Sequence, residues 1–344
     1  MPKRPCRRQG RFSLVRWQIV FHVTGKSAIL SAVKRKHPLL RYAVFAGIVL
    51  AGVGLSLLTA PSQRRVRVNW PAMGTVAAIT FRGGAPETHD AVRATVQKTW
   101  QTLESRLSAW NADSELARLA PTLAAKGADA LPEVPPDVRP CYAFAFDLKR
   151  QSGGAFDPVI GEALRRTGFT RVSNVDLGAV AKGFAVDRAW EKLEDGDLLL
   201  DLGGNLRARG GVWHTGVRNP FTPDAMAATF DLVGGEAVAT SGNYERFVER
   251  DGKRLSHILD ARTGEPVSGT AGVTVVAASA MLADGLSTTL FILGPTNGLA
   301  FLKRHYPGTA ALWLPDTPEH PEILATVQMA VRLQYPAFPV TVLR

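Results

Sequence analysis

The chain has 344 residues, with 41 Lys and Arg against 30 Asp and Glu, a formal net charge of +11. The excess is local, because residues 1–69 hold 14 of the basic residues and no acidic one, leaving 27 basic and 30 acidic in the rest. A globular part without surplus positive charge excludes a binder of phosphate backbones, so nucleic acid is not an expected partner.

The first element is YAVFAGIVLAGVGLSLLTAPSQ, Tyr42 to Gln63, which carries no charge. At about 1.5 Å per residue it is long enough for a hydrocarbon core of about 30 Å. Eleven Lys and Arg precede it, and only Arg64, Arg65 and Arg67 follow closely. The positive-inside rule then predicts a basic cytoplasmic arm (1–41), a transmembrane signal-anchor (42–63) and an extracytoplasmic domain (64–344). This amounts to a single pass through the cytoplasmic membrane, with the domain on the periplasmic side. Leu58 and Pro61 flank the small residue Ala60 poorly for cleavage, so the anchor is expected to stay. Val33 opens a short basic stretch directly before the apolar run and is an alternative expected start. Cys6 and Cys141 fall on opposite sides of the membrane in this reading, so no intramolecular disulfide is expected.

In the domain, GTVAAITF (74–81) reads as a strand, and Val92, Val96, Trp100, Leu103 and Leu107 have helical spacing. NADSELARL predicts a second helix start capped by Asp113 or Ser114, with Glu115 in the first turn. ALPEVPPDVRP (130–140) reads as a proline-rich loop, and helices are expected to end at SGG (152–154) and at Gly196. DLLLDLGG reads as a buried strand entering a glycine turn. ATFDLVGGEAVATSG is expected to be a hairpin with Gly234 and Gly235 at its tip, and YERFVERDGKRLSHIL another, turning at Asp251 and Gly252. AGVTVVAAS predicts a strand, followed by the helix MLADGLSTTLFIL. Mixed hairpins and helices predict an α+β fold, one mixed domain, and not a doubly wound parallel sheet.

Several stretches carry candidate chemistry. Asp284 and Thr288 stand four apart in a helical segment and share one face, where both offer oxygen to a hard cation. An ordinary solvated helix face gives the same spacing. SGGAFDP and LDLGGNL bring glycines beside polar groups, which fits either close approach to a ligand or a plain turn. DLGAVAKGFAVD (176–187) sets one lysine, Lys182, in a small and apolar run. Such a lysine either snorkels from a packed helix or stands beside an anion. Thr240, Ser241, His257 and Asp260 cluster around the hairpins.

In chain order, MGT (73–75), SAW and SEL (108–116), GGAFDP, DLGAVAKGFAVD, LDLGGN, ATSGNYERF, SHILDARTG and ADGLSTTLFILG resemble the FAD:protein FMN transferases, the ApbE-like family. The resemblance runs from about Trp70 to near Gly294. It implies a T-fold-related domain that binds FAD and Mg²⁺ and moves FMN onto a threonine or serine of an exported or membrane acceptor protein. It also implies that Asp284, Thr288 and the backbone carbonyl of Ala179 hold the metal. Met73, Trp110, Ala155, Phe156, Asp157, Asp176 and Lys182 would line the FAD site, and His257 and Asp260 would lie near the reaction centre. Trp110 stands where the family usually has tyrosine, and Ala261 replaces the usual proline. The same motifs are compatible with a FAD pyrophosphatase, in which water replaces the acceptor hydroxyl; a non-catalytic flavin carrier is a further alternative, against which the Asp284–Thr288 pair argues, since carrying FAD needs no metal on the pyrophosphate.

Overall fold

The computed structural model describes residues 65–344 apart from 170–171, 195, 245–246 and 251–252. The arm, the 42–63 segment and Val33 lie outside the described residues. Fifteen strands are described: β1 (Arg65–Ala72), β2 (Thr75–Arg82), β3 (Leu198–Leu202), β4 (Asn205–Arg209), β5 (Val212–Arg218), β6 (Met226–Val233), β7 (Ala237–Gly242), β8 (Phe247–Arg250), β9 (Lys253–Ser256), β10 (Leu259–Asp260), β11 (Glu265–Pro266), β12 (Thr270–Ala277), β13 (Ala310–Pro315), β14 (Ile323–Thr326) and β15 (Val340–Leu343). Nine form one sheet in the order β1-β2-β3-β4-β7-β12-β13-β14-β15, and β5–β6, β8–β9 and β10–β11 are separate pairs. Only β14–β15 is parallel among the described pairs. The architecture is a mixed α+β domain.

The helices are α1 (Pro86–Leu107), α2 (Glu115–Lys126), α3 (Arg139–Gln151), α4 (Gly161–Arg166), α5 (Ala181–Trp190), α6 (Ala280–His305) and α7 (Val327–Ala330). The apolar stripe predicted for α1 is its buried side, with Val96, Trp100, Leu103 and Leu107 in the core. Ser114 caps α2 by accepting from Ala117 N at 3.0 Å. On length and composition α6 resembles a membrane span, but half of its apolar stretch is buried inside the domain. It also breaks at Gly294 (φ 70°), which Pro295 follows.

Three local expectations are corrected. The 130–140 stretch is not all loop, because a 3₁₀ helix covers Gly127–Glu133 and α3 begins at Arg139. The helix before β3 ends at Trp190 and not at Gly196. Finally, β6 and β7 are not a hairpin: β6 pairs with β5, whereas β7 lies between β4 and β12 in the large sheet. The Gly234–Gly235 reversal carries the chain between sheets, and Gly235 N donates to Ala208 O of β4 at 2.9 Å. Alternating apolar residues fit either partner, so the choice is made by the tertiary fold.

Helices α5 and α6 meet at a close crossing that positions the site. Gly183 allows it, since a Cβ there would stand 2.3 Å from Ala280 O. Asp187, buried on α5, accepts from Ala280 N at 2.8 Å and Met281 N at 2.9 Å, the first amides of α6. Those amides have no partner within their own helix, and a carboxylate suits the positive end of the helix dipole. Gly183→Ala is expected to force the helices apart and destabilise the domain by about 1–3 kcal/mol, despite alanine's better helix propensity. A thermal melt of the variant checks this, with a lower Tm as the expected result.

Candidate active site

A cavity of about 1020 Å³ opens where the β1–β2 and β3–β4 turns, the start of α5 and the first half of α6 converge. It lies just above the roughly 300–1,000 Å³ usual for small-molecule sites. Met73 occupies the β1–β2 turn at φ 48°, an unusual conformation for a residue with a side chain. Gly203 brings the β3–β4 turn against it, as a Cβ there would lie 2.4 Å from Thr75 Oγ1.

Asp284 and Thr288 project into this cavity from α6. Asp284 is buried. Its Oδ2 accepts from Gly183 N at 2.9 Å, and its Oδ1 lies 3.7 Å from Lys182 Nζ. Burial pushes the Asp284 carboxyl above the usual carboxylate range, against the opposing pull of Lys182, the Gly183 N–H and the Asn205 amide. Thr288 Oγ1 is 3.0 Å from Ser241 Oγ on β7, which also meets Ser287 Oγ at 2.8 Å. A continuous helix would direct Gly183 N–H to Ala179 O, but here it goes to Asp284. No backbone N–H among the described residues donates to Ala179 O.

Lys182 sits in the first turn of α5, and Nζ donates to Gly178 O at 2.9 Å. Of the two readings of this lysine, the structure supports the anionic neighbour, and that neighbour is Asp284. Asp176 holds the preceding turn, with Oδ1 accepting from Gly178 N at 2.6 Å. Asp157 Oδ1 accepts from Val159 N at 2.8 Å, and Oδ2 pairs with Lys149 Nζ at 2.7 Å. Trp110 stands at the cavity edge with 53% of its surface exposed.

Of the residues expected at the site, Met73, Trp110, Phe156, Asp157, Asp176, Ala179, Lys182, His257, Asp284 and Thr288 line this one cavity. Ala155 and Asp260 do not. Ala155 is fully buried, and its carbonyl accepts from Ala261 N at 3.1 Å, which ties the SHILDARTG loop to the GGAFDP turn. Asp260 turns to Arg262, with Oδ2 2.6 Å from Nη2, and this hydrogen bond holds its carboxyl below the usual range. A carboxylate so engaged is a poor proton acceptor. His257 faces the cavity, and its ring meets Phe169 edge-on at 6.1 Å. Asn205 and Asp187 have no role legible in the sequence alone: Asn205 is buried at the cavity, and Asp187 finds its donors in the first amides of α6 and in Arg207 of β4.

The described residues form one α+β domain with an open cavity built around a buried carboxylate. The sequence pattern of the ApbE family matches residues 73–174 and 170–313. The chain belongs to the ApbE family. It is 33% identical over 299 residues to the FAD:protein FMN transferase of Rhodobacter capsulatus, covering 73% of this chain and 55% of that protein. It therefore spans about half the length of that relative. It is 31% identical over 333 residues to the FAD:protein FMN transferase of Treponema pallidum, covering 78% of this chain and 89% of that one. Among solved structures, the apo flavinyl transferase ApbE of Pseudomonas stutzeri superposes with a TM-score of 0.62 at 24% identity, covering 78% of this chain and 96% of that chain. The ApbE protein of Thermotoga maritima gives 0.65 at 22% identity, covering 79% and 100%. At these identities the likeness shows the fold.

Proposed function

We propose that this protein transfers the FMN half of FAD onto a threonine or serine hydroxyl of an acceptor protein, releasing AMP, with Mg²⁺ as the metal. The observation that carries this reading is the buried Asp284, one helical turn from Thr288, facing a cavity large enough for a nucleotide. The names of the relatives point the same way.

The residues present fit a hard divalent cation. One carboxylate, one hydroxyl and one carbonyl, from Asp284, Thr288 and Ala179, form an all-oxygen set that leaves room for substrate phosphate and water. Mg²⁺ bound there would neutralise charge on the pyrophosphate as its P–O bond breaks. Lys182 keeps a second positive charge at the same place. The acceptor hydroxyl attacks the FMN phosphorus and AMP leaves, so the protein's task is alignment and charge stabilisation. His257 takes the hydroxyl proton in this reading, because Asp260 is engaged with Arg262.

Trp110 offers an exposed aromatic face for the flavin at the cavity edge. Trp110→Ala is expected to weaken FAD binding by about 1–3 kcal/mol, and Trp110→Tyr to leave it nearly unchanged. Titration of flavin fluorescence checks this, and equal affinity of wild type and Trp110→Ala would exclude the stacking role.

The uncharged 42–63 segment and the basic residues before it support an anchored protein with this domain outside the cytoplasm, where its acceptors would be exported or membrane proteins. AMP release tests the reaction assigned here. A transferase releases AMP from FAD only when an acceptor is present, a pyrophosphatase releases it without one, and a flavin carrier releases none.

A further inference from the structure

Three hydroxyls join α6 to β7 beside the cavity. Ser287 Oγ donates to Asp284 O at 2.9 Å. Ser241 Oγ lies 2.8 Å from Ser287 Oγ and 3.0 Å from Thr288 Oγ1. Each hydroxyl has one hydrogen to give, and a carbonyl only accepts. The Ser287 hydrogen therefore goes to Asp284 O. Ser241 must then donate to Ser287, and Thr288 to Ser241, since no other assignment puts a hydrogen in all three contacts. The direction of every bond is fixed from the Asp284 carbonyl outward.

The chain ends at the cavity, which Thr288 and Ser241 line and the fully buried Ser287 does not. Thr289 donates to Gly285 O of its own helix at 2.8 Å, the usual resort of a helical threonine, whereas Thr288 donates across to β7. Thr288 Oγ1 makes no second hydrogen bond among the described residues, so its lone pairs are kept for the cavity. A hydroxyl that ligates a cation needs this arrangement, with its hydrogen directed away from the positive charge.

We propose that Ser241 is a positioning residue for the cation site: it takes the Thr288 hydrogen and so leaves the Thr288 oxygen free for the metal. Ser287 sets the direction by taking the Ser241 hydrogen in turn. The proposal rests on the reading of Asp284 and Thr288 as ligands of the cation. Partners that orient metal ligands typically contribute 10–100-fold to metal affinity.

The test uses the full-length protein in detergent without FAD, titrated with Mn²⁺ and followed by the electron paramagnetic resonance signal of the free ion. Wild type is expected to bind Mn²⁺, Asp284→Ala to lose binding, and Ser241→Ala to bind about 10–100-fold more weakly with an unchanged circular dichroism spectrum. Thr288→Val should also bind more weakly, and adding Ser241→Ala to it should cost nothing further, because Ser241 acts only through Thr288. A further loss in the double variant would make Ser241 merely structural and overturn the proposal. If Asp284→Ala loses Mn²⁺ while Ser241→Ala or Thr288→Val matches wild type, the proposal is overturned and the Asp284 site stands. If wild type binds no Mn²⁺, or Asp284→Ala binds as well as wild type, the cation reading falls and the proposal falls with it. Should Ser241→Ala fail to fold, Ser287→Ala decides. Ser287 does not line the cavity, so its loss reaches the cation only by freeing the Ser241 hydrogen to turn toward Thr288. Weaker Mn²⁺ binding by Ser287→Ala is expected, and wild-type affinity overturns the proposal.

Discussion

Asp284→Ala is expected to abolish FMN transfer and leave the domain folded. The substitution removes the only carboxylate in the proposed oxygen set. Charge stabilisation on a transferring phosphoryl group contributes several kcal/mol, and each 1.36 kcal/mol is tenfold in rate. The rate should therefore drop by about 10³-fold or more. Stability should change little. The Gly183 N–H bond is lost, but so is the cost of burying a carboxylate, and Lys182 keeps Gly178 O. Thr288→Val should act in the same direction more mildly, because a neutral ligand is lost and water substitutes for it more easily. Transfer rates at limiting Mg²⁺ and a urea melt check both halves, and wild-type transfer by Asp284→Ala would show that the metal is held elsewhere.

The largest expected effect on stability belongs to Asp187. Its carboxylate joins three donors: the Ala280 and Met281 amides and Arg207 Nη1, the last at 2.6 Å. The pair is nearly enclosed, with side-chain exposures of 11% for Arg207 and 7% for Asp187. Asp187→Ala leaves a buried guanidinium and two helix-terminal amides without their acceptor, a loss of about 3–5 kcal/mol. Arg207 retains the Ala278 carbonyl and the face of Trp190, which limits the damage to that order. Adding Arg207→Leu to Asp187→Ala should recover part of the loss, since the uncompensated charge is removed. Urea unfolding of the single and double variants measures the coupling. Strict additivity would mean that the two side chains do not act as a pair.

How much of this was legible in the sequence depended on distance along the chain. The α1 stripe and a cap at Asp113 or Ser114 were readable because residues three and four apart carry those signals, and the structure selects Ser114. Asp284 and Thr288 were readable as a pair for the same reason. Strand partners were not. The Gly234–Gly235 turn carries hairpin chemistry, yet the alternating residues of β6 fit β5 as well as β7, and only the packed sheet chooses. Lys182 could be read as anomalous but not explained, because its anion is on another helix. Asp260 shows the converse. Its place in SHILDARTG suggested chemistry, whereas Arg262 two residues later had first claim on its carboxylate.

The proposed reaction moves FMN to a protein and not to water. The most direct measurement incubates the full-length protein with FAD, Mg²⁺ and an acceptor protein carrying an exposed threonine motif, alongside the same acceptor with that threonine changed to alanine. Denaturing gels read for flavin fluorescence report covalent attachment. A fluorescent band on the threonine acceptor alone, with AMP formed in equal amount, is the predicted result. AMP and free FMN with no fluorescent band on either acceptor would contradict it.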